Sequence, residues 1–244
     1  MKIQRYKHEL DYSYALGMTL TIELLKTKPT YVEEVIISPE ITKNDNYSML
    51  YSLCSNSNIP ISQNEKAFNL LNVKGNCFVI GVFRKFDYIL NAGSHIVLVN
   101  PSDSGNMGTI IRTAIGFGIS QIAIIRPAVD IFDPKTVRAS MGAIFHMKFH
   151  YYDSFTEYKN IFKNNNLYPF MLKASTPITE VDFLEPYSLI FGNEATGLPD
   201  IYSDYEKSTP IVIKHSHDID SLNLTIAAGI GMFYSTRNKW HQQK

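Results

Sequence analysis

HIVLVNPSDSGNMGTIIRTAIGFGISQIAIIR, His95 to Arg126, decides the fold. Its first residues, His95 to Asn100, are a short apolar run, which reads as a strand buried on both faces. Pro101 to Gly105 is a polar loop. Met107, Ile110, Ile111, Ala114, Ile115 and Phe117 then recur at helical spacing, so Met107 to Phe117 reads as a helix. Gln121 to Arg126 is a second apolar strand. A strand, loop, helix and strand in that order form a parallel crossover, which points to a mainly parallel α/β sheet with loops gathered at the carboxyl ends of its strands.

Toward the C-terminus the alternation continues. Asp133-Pro134 supplies an N-cap and a first-turn proline for a helix through Val137 and Met141. Asp153 is a candidate cap for a helix through Phe155, Tyr158, Ile161 and Phe162. Leu167 to Leu172, Tyr187 to Phe191 and Pro210 to Ile213 read as strands, and Ser221 to Arg237 reads as the last helix with Ser221 as its N-cap.

Toward the N-terminus lies a smaller α/β unit. Leu20 to Lys26 and Ser48 to Ser55 have helical periodicity, Val32 to Ser38 and Cys77 to Phe83 read as strands, and Ile59-Pro60-Ile61 reads as an edge strand. Ser62 with Glu65 has the spacing of a capping box before Ala67, Phe68, Leu70 and Leu71. The expected division is 1–86, a linker at 87–94 around Asn91 and Gly93, and 95–244.

The chain has 244 residues, 45% hydrophobic and 19% charged, which suits globular domains and excludes wholesale disorder. Lys+Arg and Asp+Glu are both 23, so no polybasic coat for nucleic acid is expected, although a local RNA site is allowed. Two cysteines, Cys54 and Cys77, with no Cys/His cluster, argue against a disulfide scaffold and a zinc site. The longest apolar runs fall far short of the roughly 20 residues of a membrane span. A cytoplasmic protein with no membrane or metal partner is the expectation.

Three polar, glycine-bearing segments interrupt strand ends. Asn100 to Gly118 places Gly105 and Gly108 at a helix entrance and Arg112 one turn inside; it is neither G-x-G-x-x-G nor a P-loop. Leu189 to Pro199, LIFGNEATGLP, runs a buried strand into Gly192-Asn193-Glu194 and then Gly197. Asp220 to Arg237 carries Ser221, Asn223 and a small-residue face of Ala227, Ala228, Gly229 and Gly231. Each segment alone also reads as an ordinary corner, a tight turn or a capped core helix. Ser221 has no G-x-S-x-G setting for hydrolysis.

Taken together and in this order, the segments resemble the three motifs of the SpoU (TrmH-type) RNA 2′-O-ribose methyltransferases of the knotted SPOUT superfamily. DIFDPKTVRASMGAIFH, Asp130 to His146, is similar to the stretch between the family's first two motifs. The resemblance runs from Ile96 to Arg237. It implies an S-adenosylmethionine cofactor held by Gly192, Ile213 and Leu222, and a C-terminal trefoil knot. It implies that Asn106, Arg112, Glu194, Ser221 and Asn223 are the polar residues of the catalytic site. It further implies a homodimer and an RNA substrate, rRNA favoured over tRNA, with residues 1–86 resembling the small RNA-binding domain of ribosomal-protein type. Three departures stand out: Ala195 replaces a commoner glycine, Ile213-Lys214-His215 replaces a commoner Ile-Pro, and Thr225 replaces a frequent serine. His215 and His217, just before the third motif, read as ordinary loop residues that RNA could meet, and without a Cys or carboxylate pattern they do not read as metal ligands.

Overall fold

The computed structural model describes residues 3–71 and 77–240. In chain order the elements are β1 (Tyr12–Leu16), α1 (Met18–Thr27), β2 (Val32–Ile37), α2 (Asp45–Asn56), β3 (Ile61–Gln63), α3 (Glu65–Leu70) and β4 (Val79–Arg84). They continue with β5 (His95–Val99), α4 (Ser104–Gly116), β6 (Gln121–Ile125), α5 (Pro134–Ala139), β7 (Lys148–Tyr152), α6 (Phe155–Ile161), β8 (Asn166–Pro169) and β9 (Thr176–Pro177). Last come β10 (Tyr187–Phe191), β11 (Ile211–Val212) and α7 (Leu224–Trp240). Among the described residues no helix is long and apolar enough to cross a membrane.

The chain divides into two compact units. One comprises Met1–Phe86 with Asp130–His146, the other Asp87–Val129 with Met147–Lys244. In the first, a four-stranded sheet is ordered β1-β4-β2-β3, with β3 parallel to β2 and the other pairs antiparallel. The stretch Asp130–His146 differs from the contiguous division expected from sequence, and its own packing explains why. Ile131, Phe132, Val137, Ile144 and Phe145 are all buried, and Phe132 and Phe145 join Phe83 and Phe86 in an aromatic cluster. Asp130 fixes its start by accepting from Tyr6, from His8 Nδ1 at 2.8 Å and from the Phe132 N–H at 2.9 Å, with Lys85 Nζ at 3.3 Å. Burial pulls the Asp130 carboxyl upward, but these bonds and the lysine charge outweigh it and hold the group below the usual carboxylate range.

The second unit holds a five-stranded sheet, β7-β6-β5-β10-β8, parallel throughout. Strands β5 and β10 are buried along their whole length, polar His95 and Ser188 included. At the amino end of the sheet, buried His95 meets Tyr158 Oη at 2.8 Å and the Asn91 carbonyl at 2.9 Å, and Tyr158 meets Ser188 Oγ at 2.6 Å. That network satisfies polar groups that would otherwise be costly to bury, and burial pushes the His95 imidazole below its ordinary range.

Several local expectations are corrected. The sequence reading passed over β1, whose Tyr12-Ser13-Tyr14-Ala15 is wholly buried without a β-branched run. Ser62 does not cap α3; it lies in β3 and donates to Glu34, while Asn64 holds the cap position. Helix α2 starts earlier than Ser48, because Asn44 Oδ1 accepts from the Tyr47 N–H at 3.1 Å. Helix α4 starts at Ser104, capped by Asp103, so the loop before it is shorter than expected. Ser154, not Asp153, caps α6. The strand expected over Leu167 to Leu172 ends at Pro169. Helix α7 begins at Leu224 rather than Ser221, because Asn223 Oδ1 accepts from the Thr225 N–H at 2.8 Å and the Asn223 carbonyl accepts from Ile226 and Ala227, leaving Ser221 in an exposed loop.

Candidate active site

The parallel sheet sends its chain reversals to the carboxyl ends of β5, β6 and β10, where ligand sites in such sheets form. Asn100 ends β5 in a left-handed conformation, φ 52°. Its Nδ2 donates to the Arg126 carbonyl after β6 at 2.7 Å, and its carbonyl accepts from Asn193 Nδ2 after β10 at 2.8 Å. One residue therefore ties three strand ends together. Asn193 Oδ1 also accepts from the Ala195 N–H at 2.9 Å, turning the chain back so that Gly197 N–H reaches the Asn193 carbonyl at 2.9 Å.

Glu194 follows. Its Oε2 accepts from Ser102 Oγ at 2.7 Å and the Ser102 N–H at 3.2 Å, and its Oε1 accepts from Asn106 Nδ2 at 3.1 Å. Partial burial raises the carboxyl's proton affinity, but the bonds from Ser102, its own N–H and Asn106 outweigh that and hold Glu194 ionised below its ordinary range. The expected pair Asn106 and Glu194 is thus brought together across 88 positions of sequence.

Beside this junction opens a cavity of about 220 Å³. Gly192, Glu194, Ile213, Ser221 and Leu222 all line it, so five of the eight residues singled out from sequence converge there. Phe170 and Phe191, stacked with centroids 4.5 Å apart, supply apolar wall. Gly231 of α7 lies on that ring pair, where a Cβ would come within 2.7 Å of Phe170 Cζ. The reason for Gly192 differs from the expected one of ligand clearance. A Cβ there would stand 2.3 Å from the Gly197 carbonyl carbon, so glycine is needed for the loop's contact with itself.

Three singled-out residues do not line the cavity. Asn106 reaches it through Glu194, Asn223 caps α7, and Arg112 is exposed on α4 with no ion pair among the described residues. Sequence reasoning assigns no role to Asn100 or Ser102, takes Asn193 only as an amide of a ligand loop, and does not find His215 in the cavity wall, which it lines. Asn100 and Asn193 stand inside the quoted motifs; nothing distinguishes Ser102 from any other loop serine. Among the described residues no group of three or more His, Cys, Asp or Glu is placed to hold a metal ion.

A cavity with apolar walls, backbone amides and one held carboxylate suits a small ligand with both apolar and polar parts. The model of the SpoU rRNA Methylase family matches residues 93–233. The chain belongs to that family. SpoU methyltransferases use S-adenosylmethionine. The chain is 30% identical over 150 residues to an uncharacterized tRNA/rRNA methyltransferase of Synechocystis, a match covering 59% of this chain and 53% of that one. It is 29% identical over 160 residues to the 23S rRNA (uridine(2479)-2′-O)-methyltransferase of Streptomyces viridochromogenes, covering 59% and 52%. The chain thus spans about half the length of these two relatives. The crystal structure of an AdoMet-bound rRNA methyltransferase from Sinorhizobium meliloti superposes with a TM-score of 0.78 at 25% identity, covering 93% of this chain and 88% of the other.

Proposed function

We propose that this member of the SpoU family is an S-adenosylmethionine-dependent RNA methyltransferase acting on a ribose 2′-hydroxyl, with rRNA favoured over tRNA. The observation that carries the reading is the convergence of the three motif regions: Asn106 bonds Glu194 at the rim of one cavity that Gly192, Ile213 and Leu222 line. Those three residues are the proposed cofactor contacts. The bound cofactor supplies a methyl group already activated for displacement, so the protein's task is alignment and help with proton loss.

Arg112 is a poor base, because a guanidinium pKa lies above about 12. Its proposed work is to hold an RNA phosphate and polarise the attacking hydroxyl, the proton passing to phosphate or water. Glu194 and Ser221 keep the loops in register, and Asn106 and Asn223 orient the ribose or the arginine. Residues 1–86 serve as the RNA-binding domain, the C-terminal stretch forms the trefoil knot, and a homodimer in the cytoplasm completes the site.

The test is ribonucleoside analysis of RNA treated with purified protein and labelled S-adenosylmethionine. Nuclease-resistant methylated dinucleotides are expected. A labelled base, or RNA binding without transfer, overturns the ribose reading. Label confined to tRNA overturns the rRNA preference, and a monomer by sedimentation at micromolar concentration overturns the shared site.

A further inference from the structure

Of the residues lining the cavity, only Glu194 and His215 carry side chains that ionise in the acid to neutral range. Glu194 is committed to Ser102 and Asn106. His215 is different. Its Nδ1 lies 2.9 Å from the carbonyl oxygen of Ile213. A carbonyl only accepts, so Nδ1 must carry the hydrogen, and in the neutral ring Nε2 is then a bare acceptor. No partner for Nε2 occurs among the described residues, and the ring is partly buried. On protonation Nε2 turns from acceptor to donor and brings a positive charge into the cavity wall.

We infer that His215 is a cofactor-binding residue whose Nε2 accepts an N–H of bound S-adenosylmethionine, so that affinity for the cofactor falls when the imidazole is protonated. The inference rests on the cofactor reading above. Two effects act with the same sign. The acceptor is lost, and the new charge faces a ligand of net positive charge, whose sulfonium and ammonium outnumber its one carboxylate. The other charged groups nearby are Glu194 on the loop after β10, held ionised, and Lys214, His217, Asp218 and Asp220 on the loop of His215 itself. Lys173, next to Leu172 of the cavity wall, is paired with Asp200 at 3.7 Å. His217, the other histidine of that loop, serves as the control.

Calorimetric titration of the full chain with S-adenosylmethionine, from about pH 7.5 to about pH 5.5, tests this. Affinity is expected to weaken about tenfold on acidification, the equivalent of about 1.4 kcal/mol. His215→Gln keeps an acceptor and cannot protonate, so its affinity should stay nearly flat across the range. His215→Phe keeps the ring but no acceptor and should bind weakly at both ends. His217→Gln should titrate like the natural chain. A His215→Gln variant that keeps the full pH response, or a natural chain with none, overturns the inference and leaves the cofactor reading standing. Absence of binding by the folded natural chain at every pH overturns the cofactor reading and the inference with it.

Discussion

Two loops wall the cavity, and they are built in opposite ways. The loop after β10, Gly192 to Leu198, is tied to the ends of other strands by Asn193 on Asn100 and by Glu194 on Ser102 and Asn106. The loop from Ile213 to Asn223 bonds mainly to itself, His215 to Ile213 and Ser216 to Asp218, and most of it is exposed. A wall with many ties is set before any ligand arrives, whereas a wall with few opens at low cost. The first is framework, and the second is where a ligand contributes the missing contacts.

The largest effect should come from breaking the tied wall. Gly192→Val forces a side chain against the Gly197 backbone, so the loop must move as a whole. Overpacking of this kind costs about 1–3 kcal/mol, and cofactor binding should be abolished. Calorimetry and thermal melting check both. Unchanged affinity in a folded variant would place the cofactor elsewhere.

Arg112→Ala comes next. The side chain is exposed, so stability should change by no more than about 0.5 kcal/mol and cofactor affinity should hold. Methyl transfer should fall about a hundredfold or more, because the hydroxyl loses its polarising charge. Arg112→Lys should rescue only part, since an ammonium lacks the planar fork. Mixed dimers of Arg112→Ala with a protomer defective in cofactor binding should recover activity if the arginine acts across the interface.

How much of this was legible follows from the range of each interaction. Strands β5, β6 and β10 show in the sequence because burial on both faces leaves short apolar runs, Ile96 to Val99, Ile122 to Ile125 and Leu189 to Phe191. β1 does not, because its burial rests on aromatic residues alternating with small ones. The cap of α7 was misplaced by two residues, since Ser221 and Asn223 are equally good caps and only the Thr225 bond separates them. The Ser102–Glu194 bond spans 92 positions, and no local pattern encodes it.

A smaller effect tests the end of the loose wall. Asn223 uses Oδ1 on Thr225, which leaves Nδ2 to donate to a substrate. Asn223→Asp keeps the cap and removes that donor. Its melting temperature should match the natural chain, while transfer falls about tenfold, as for one lost hydrogen bond to a charged or polarised group. Asn223→Ala should lose about 1 kcal/mol of stability as well. An Asp variant with full activity would make Asn223 a cap alone.

The smallest effect measures the tied wall directly. Glu194 sits below its ordinary range in the folded chain, after burial is offset by the bonds from Ser102 and Asn106. A carboxyl whose folded value is depressed stabilises the fold above its unfolded value, about 4.3, and that contribution disappears as pH falls through the folded value. Ser102→Ala removes the Oγ bond and leaves those from the Ser102 N–H and Asn106, so Glu194 should titrate closer to its unfolded value. Because the group is only partly buried, solvent screening limits the stability lost at neutral pH to about 0.5 kcal/mol. Titration of the Glu194 carboxyl by carbon NMR should show the upward move, and the acid side of a melting-temperature profile should become shallower below about pH 4. Ser216→Ala, on the loose loop, should leave the Glu194 titration untouched. If Ser102→Ala also leaves it untouched, the Ser102 hydroxyl does not hold the carboxylate, and the contrast between the two walls loses its strongest tie.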